Sequence, residues 1–166
     1  MGRDKARLPY RGADLVSAVA RAVAAAAGSV TLVGHGELPG IPDLYPGEGP
    51  LGGILTALHH TAAEWNLIVA CDMPEVSAAF LGKLLAMARK SAAVVLLPRG
   101  PDGRPQPLCA AYHKRALEDL EDHFAGGARQ VTSALAGIAV EPWDVAELSL
   151  FQNVNTPQDW AAYAAK

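Results

Sequence analysis

The 166-residue sequence is short of several things, and each shortage removes a class of function. No apolar run approaches the ~20 residues that a membrane helix needs. The Ala-rich stretch from Ala18 to Ala27 is broken by Arg21 and reads as a helix packed on a sheet. There is no signal peptide. Charge of one sign is also scarce: the net charge is −3, which points to neither a nucleic-acid nor a membrane partner. Cysteine is limited to Cys71 and Cys109, in separate apolar segments without CxxC or Cys/His spacing. That argues against a structural metal site and for a cytoplasmic location with free, buried thiols. Nucleophile constellations are missing too. His59 and His60 are adjacent on a helix and face different ways, so they do not share a metal. His113 and His123 are read on one helix at the surface, and His35 lies between two glycines after a strand. Neither GxxxxGK[ST] nor GxGxxG occurs.

What is present is the composition of one globular domain, residues 1–166, with 51% hydrophobic and 19% charged residues. Strand and helix signals alternate. Helical spacing over 12–27 ends at Gly28, and Val30–Val33 reads as a short strand. A Pro/Gly-rich loop over 37–50 leads into a helix from Leu51 to Ala63. Leu67–Cys71 is a second strand, and Ser77 caps a helix of about twelve residues. Ala92–Leu97 and Pro107–Tyr112 are further strands, and His113–Phe124 is a helix closed by Gly126-Gly127. A helix over 128–136, a strand over 137–142, an extended Phe151–Val154 and a final helix opened by Thr156-Pro157 complete the pattern. Short strands separated by helices imply a three-layer α/β/α fold with a mainly parallel sheet. In such sheets ligands sit beyond the carboxyl ends of the strands.

That rule picks out the loop after Val33, Asp72, the turn after Leu97 and Asn153-Val154-Asn155, and four stretches carry chemistry. In Cys71-Asp72-Met73-Pro74 a strand runs into a carboxylate, and proline stops it there. One carboxylate with substrate phosphates and water suits magnesium. The same side chain could equally cap the turn to Ser77. In Gly47–Ile54, glycines at 47, 49, 52 and 53 flank a helix start. They let backbone approach an anionic or flat ligand, or they simply allow tight packing. Met1–Ala6 holds Arg3 and Lys5, a phosphate contact or a solvated terminus. Asn153 and Asn155, two apart in an extended segment, point to one side, toward a ligand or toward loop backbone.

Together these pieces resemble the MobA family, the molybdenum cofactor guanylyltransferases. The residues that match are Met1-Gly2-Arg3-Asp4-Lys5, Gly49-Pro50-Leu51-Gly52-Gly53, Cys71-Asp72-Met73-Pro74, Pro105-Gln106-Pro107-Leu108 and Asn153-Val154-Asn155-Thr156-Pro157. Their order and spacing agree over essentially the whole chain. The resemblance implies a Rossmann-like nucleotidyltransferase fold and transfer of GMP from GTP to molybdenum-loaded molybdopterin, with release of pyrophosphate. It implies Mg2+ on Asp72 and Lys5 at the triphosphate, both in catalytic roles. It places Asp43, Gly49, Pro50, Leu51, Gly52 and Gly53 against the nucleotide, and Asn153 and Asn155 on the molybdopterin side. Whether Asp43 meets guanine or ribose stays open. Other proteins of molybdenum cofactor biosynthesis are implied as partners. In the family a first strand and a Gly-Gly phosphate loop precede the Met-Gly-x-Asp-Lys segment, which here stands at residue 1. The sequence is therefore expected to lack that central strand, as a shortened form of a longer product or by translation from an internal methionine, and to expose the neighbouring strand edges. The alternatives are a related transferase using CTP or another phosphorylated acceptor, and a non-catalytic adaptor in cofactor delivery.

Overall fold

The computed structural model describes residues 9–10, 13–34 and 40–151. Two two-residue strands, β1 (Pro9–Tyr10) and β2 (Ala13–Asp14), form a small hairpin. Asp14 then caps α1 (Leu15–Ala27) by accepting from the Ser17 N–H at 2.8 Å, and Gly28 ends that helix in the left-handed conformation. After α2 (Pro50–His60) and β3 (Trp65–Val69) comes α3 (Ala78–Ala88), capped by Ser77 as its sequence predicts. β4 (Val95–Arg99), β5 (Cys109–His113), α4 (Ala116–Ala125), α5 (Val131–Ala134) and β6 (Val140–Asp144) follow, and a 3-10 turn covers Leu148–Phe151.

β3 to β6 form one sheet in the order β3-β5-β4-β6. β3, β4 and β6 share a direction, and β5 runs against them between β3 and β4. Period-two alternation sorts the side chains onto two faces. Leu67, Val69, Leu96, Cys109 and Ala111 join α1 and α3 in one apolar layer. Ile68, Val95, Leu97, Ala110 and Tyr112 join α2, α4 and α5 in the other. The three-layer α/β/α arrangement follows from that division. Burial pushes the Cys109 thiol up to about 12 and raises Tyr112 by the same desolvation. Tyr112 spends its hydroxyl on the Pro107 carbonyl at 2.8 Å.

Four expectations need correction. Val30–Val33 is not a strand: only Val33 pairs, by one bridge to Ile41, and Val30 is exposed. Apolar composition alone does not make a strand without a neighbour to bond to. Cys71 is exposed, because β3 ends at Val69 and Cys71 already lies in the turn. His113 is not on the helix with His123: it is the last residue of β5, and α4 starts three residues later. Phe151 ends the 3-10 turn, not an extended segment. Residues 152–154, the final helix and His35 lie outside the described residues.

The edges of the sheet differ in kind. β6 carries exposed Glu141 and Pro142, and proline lacks the N–H that a further strand would need. β3 is only half-buried along its length, whereas β4 and β5 are buried except at their last residues. Among the described residues β3 pairs with β5 alone. No helix among the described residues is long and apolar enough to cross a membrane.

Candidate functional site

Beside the edge of β3 that faces away from β5 lies a cavity of about 520 Å3. α1 walls it with Val16, Val19 and Val23, and α2 with Pro50, Gly53, Ile54 and Ala57. These helices belong to opposite layers, so the cavity lies in the plane of the sheet. Val30–Gly34 forms its far side, and Asp72 stands at its wall together with Leu67–Cys71. The cavity is mainly apolar, and Asp72 is the one ionisable carboxylate among its described lining residues.

Asp72 sits in the turn beyond the carboxyl end of β3. Met73 and Pro74 behind it are buried, and the N–H of Val76 bonds the Met73 carbonyl at 3.3 Å, so the turn is anchored from below. Asp72 is half-buried, with Oδ1 shut off from solvent. No group of three or more His, Cys, Asp or Glu side chains that could hold a metal occurs among the described residues. The described residues thus form no closed zinc-type site. Asp72 fits a hard cation that takes a single carboxylate and completes its shell with phosphate oxygens and water.

α2 enters from the Pro/Gly-rich loop. Gly49 precedes it with φ 78°, proline stands at its first turn, and no side chain caps it. Of the five residues singled out here by sequence, Pro50 and Gly53 face the cavity. Leu51 is wholly buried and packs in the core with Ile54 and Leu55, so its side chain offers no surface to a nucleotide. Gly52 is buried against Tyr45: a Cβ there would stand 2.9 Å from Tyr45 Cβ and 3.1 Å from its carbonyl oxygen. Its lack of a side chain is explained by that packing. At Gly53 a Cβ would meet nothing within 4 Å.

Asp43 stands in the loop ahead of α2, half-buried and outside the cavity lining. Its Oδ1 accepts from the Tyr45 N–H and from the Thr56 hydroxyl, both at 2.9 Å. The loop is clamped further on. Tyr45 meets the Phe124 ring edge-on with centroids 4.9 Å apart, and Arg129 pairs with Glu48 while its guanidinium lies over Phe124. The sequence singles out neither Thr56 nor Tyr45. The signal for Thr56 is a hydroxyl on an otherwise apolar helix face, but its partner lies thirteen positions away.

Lys5, Asn153 and Asn155 lie outside the described residues. The remaining histidines have structural partners: His59 Nε2 meets Glu121 at 2.7 Å, and His60 and His123 bond the carbonyls of Thr56 and Ala134. The Arg99 side chain, at the carboxyl end of β4, pairs with Asp144.

Known proteins resemble this chain throughout. The family model described as the MobA-like NTP transferase domain matches residues 1–139. The probable molybdenum cofactor guanylyltransferase of Deinococcus radiodurans is 34% identical, over 99% of this chain and 88% of its own length. The molybdenum cofactor guanylyltransferase of Xanthomonas euvesicatoria is 32% identical, over 97% and 86%. Among solved structures, molybdopterin-guanine dinucleotide biosynthesis protein A from Archaeoglobus fulgidus superposes with a TM-score of 0.81 at 27% identity, covering 97% of this chain and 89% of that one. The 2-C-methyl-D-erythritol 4-phosphate cytidylyltransferase of Thermus thermophilus shares the fold, with a TM-score of 0.70 at 18% identity over 98% and 94%. By the match of the family model over residues 1–139 and by relatives 34% and 32% identical along nearly its whole length, the chain belongs to the MobA-like NTP transferase family.

Proposed function

We propose that the protein is a molybdenum cofactor guanylyltransferase, which transfers GMP from GTP to the terminal phosphate of molybdenum-loaded molybdopterin and releases pyrophosphate. The relatives named for that activity support the reading along nearly the whole chain. The observation that carries it is the meeting of Asp72 with the uncapped start of α2 at one cavity. A carboxylate for a cation and a helix N-terminus for anions are the two devices that a nucleoside triphosphate needs.

A phosphate monoester has a second pKa of about 6, so the acceptor is already largely a dianion at neutral pH. It attacks the α-phosphorus of GTP in line and needs no general base, consistent with histidines that are spent on structural contacts. The difficulty is bringing two anions together, and positioning with positive charge answers it. Asp72 would hold a magnesium ion, which when bound supplies charge to offset the triphosphate and the leaving pyrophosphate. The turn under Asp72 fixes that carboxylate in place before substrate arrives. The start of α2 directs its first-turn amides toward phosphate, and Gly53 keeps the cavity wall low beside the nucleotide. Asp43 contacts the nucleoside. Lys5 neutralises the triphosphate, and Asn153 with Asn155 holds the molybdopterin side.

Titration calorimetry with GTP, CTP and ATP in magnesium tests the nucleotide, and GTP is expected to bind tightest. Asp72→Ala is expected to reduce transfer at least ~10²-fold, equivalent to about 3 kcal/mol of transition-state stabilisation, with an unchanged circular dichroism spectrum. Full transfer by that variant at saturating magnesium would refute the assignment.

A further inference from the structure

Among the described residues, Thr56 is the one polar residue in the buried set. It stands in the middle of α2, a helix whose inward face is otherwise Leu51, Ile54, Leu55 and Leu58. A buried hydroxyl is costly unless it is hydrogen-bonded, and a β-branched residue is not a favoured helix former. A valine would fill the same space at no polar cost, so the hydroxyl has a reason to be there. That reason lies outside α2. Thr56 Oγ1 accepts from the Leu44 N–H at 3.0 Å and donates to Asp43 Oδ1 at 2.9 Å. One hydroxyl thus holds both the backbone and the side chain of the loop.

The consequence falls on Asp43. Its Oδ1 accepts two internal hydrogen bonds, from Thr56 and from the Tyr45 N–H, which fills the two lone pairs of that oxygen. Oδ2 accepts none from the described residues. The turn bond from Tyr45 alone would leave the carboxylate free to swivel about its side-chain torsions. The second bond, from a rigid helix, fixes its plane.

We propose that Thr56 is a positioning residue: it locks the Asp43 carboxylate so that a single oxygen, Oδ2, is presented to the nucleoside. The inference rests on the guanylyltransferase reading, in which Asp43 touches the nucleotide. It narrows that contact. Asp43 grips one donor, a hydroxyl or one N–H, and does not clasp the paired N1–H and N2–H of guanine with both oxygens. Orientation is settled before binding, so ordering the carboxylate costs no affinity when the ligand arrives.

The test is a double-mutant cycle on the full-length protein, read by titration with GTP and magnesium. Thr56→Val is expected to weaken GTP about 3- to 10-fold, the scale of one hydrogen bond's net contribution, and to raise KM while leaving kcat nearly unchanged. Thr56→Ser, which keeps the hydroxyl, is expected to bind as the unmodified protein does. In an Asp43→Ala background, Thr56→Val is expected to add no further loss. Additive losses, or undiminished affinity in Thr56→Val when Asp43→Ala is weakened, overturn the positioning role. Should the valine variant unfold, Thr56→Ala with Thr56→Ser completes the same cycle, and additive losses there overturn the role in the same way. Failure of the unmodified protein to bind GTP strikes the guanylyltransferase reading itself. GTP binding that ignores Asp43→Ala strikes the contact, and the positioning role falls with it. A deoxyribose nucleotide that loses the whole Asp43 contribution assigns Oδ2 to ribose, an inosine nucleotide that loses the whole of it assigns Oδ2 to the 2-amino group, and no loss with either assigns it to N1–H; an inosine nucleotide that loses only part of it, N1–H still being held, means the two-oxygen clasp and overturns the inference.

Discussion

Gly52 and Gly53 are neighbours in the first turn of α2, yet adding one methyl group should have opposite effects at the two positions. At either, alanine removes backbone freedom from the unfolded chain, a gain of ~0.4–1 kcal/mol where the native conformation tolerates it. Gly53 has open space where its Cβ would go. Gly53→Ala is therefore expected to raise stability by about that amount. At Gly52 the new Cβ would stand 2.9 Å from Tyr45 Cβ and 3.1 Å from the Tyr45 carbonyl. Neither is the loose end of a side chain, and the loop is held from behind by Phe124 and by the Arg129–Glu48 pair. Overpacking of this kind costs ~1–3 kcal/mol. The net effect of Gly52→Ala is a loss of ~0.5–2 kcal/mol. A kilocalorie shifts the melting temperature of a domain this size by ~2–4 °C. Thermal unfolding should thus place Gly52→Ala ~2–6 °C below the unmodified protein and Gly53→Ala ~1–3 °C above it. Function should run the other way at Gly53, since the added methyl group enters the cavity and is expected to weaken GTP binding in the proposed site. Equal melting temperatures for the two variants would refute the packing argument.

The edge of β3 that faces away from β5 has no strand partner among the described residues, and hydrogen exchange can read it. Ala70 donates to Leu108 across the β3–β5 pair, which sets the even-numbered amides of β3 toward β5 and those of Leu67 and Val69 toward the other edge. Exchange followed by NMR should alternate, fast at Leu67 and Val69 and slow at Asn66 and Ile68; uniform protection would mean that something pairs with this edge. Alkaline pH should also destabilise the fold. Cys109 ionises near 9.0 when unfolded and only near 12 when folded, so above pH ~9 the unfolded chain releases a proton that the folded one keeps. Tyr112 acts in the same direction. Melting temperature should fall from pH ~9 to ~11, and Cys109→Ala should flatten that slope; an unchanged slope would discount the buried thiol as a cause.

Local chemistry made much of this protein legible from its residues alone. Gly28 ends α1 and Ser77 opens α3, because caps are satisfied within a few residues of the chain, whereas α1 starts at Leu15 behind Asp14 and not at residue 12. Short apolar strands alternating with helices implied the three layers, and the structure sorts the strand side chains onto the two faces. The order of five motifs from Met1 to Pro157 pointed to the family that the comparisons show, and the place of Asp72 after a strand made it a candidate for a cation. Tertiary structure decided the rest. β5 inserts antiparallel between β3 and β4, a pairing whose partners lie more than ten residues apart and leave no local trace. Val30–Val33 has the composition of a strand and forms only one bridge, because a strand exists through its neighbours. Gly52 and Gly53 look alike in sequence, but Tyr45 packs against one and open space faces the other. Asp43 and Thr56 meet across thirteen positions because a loop folds back on a helix, and hydrogen bonding across a fold is fixed by packing, not by the order of residues.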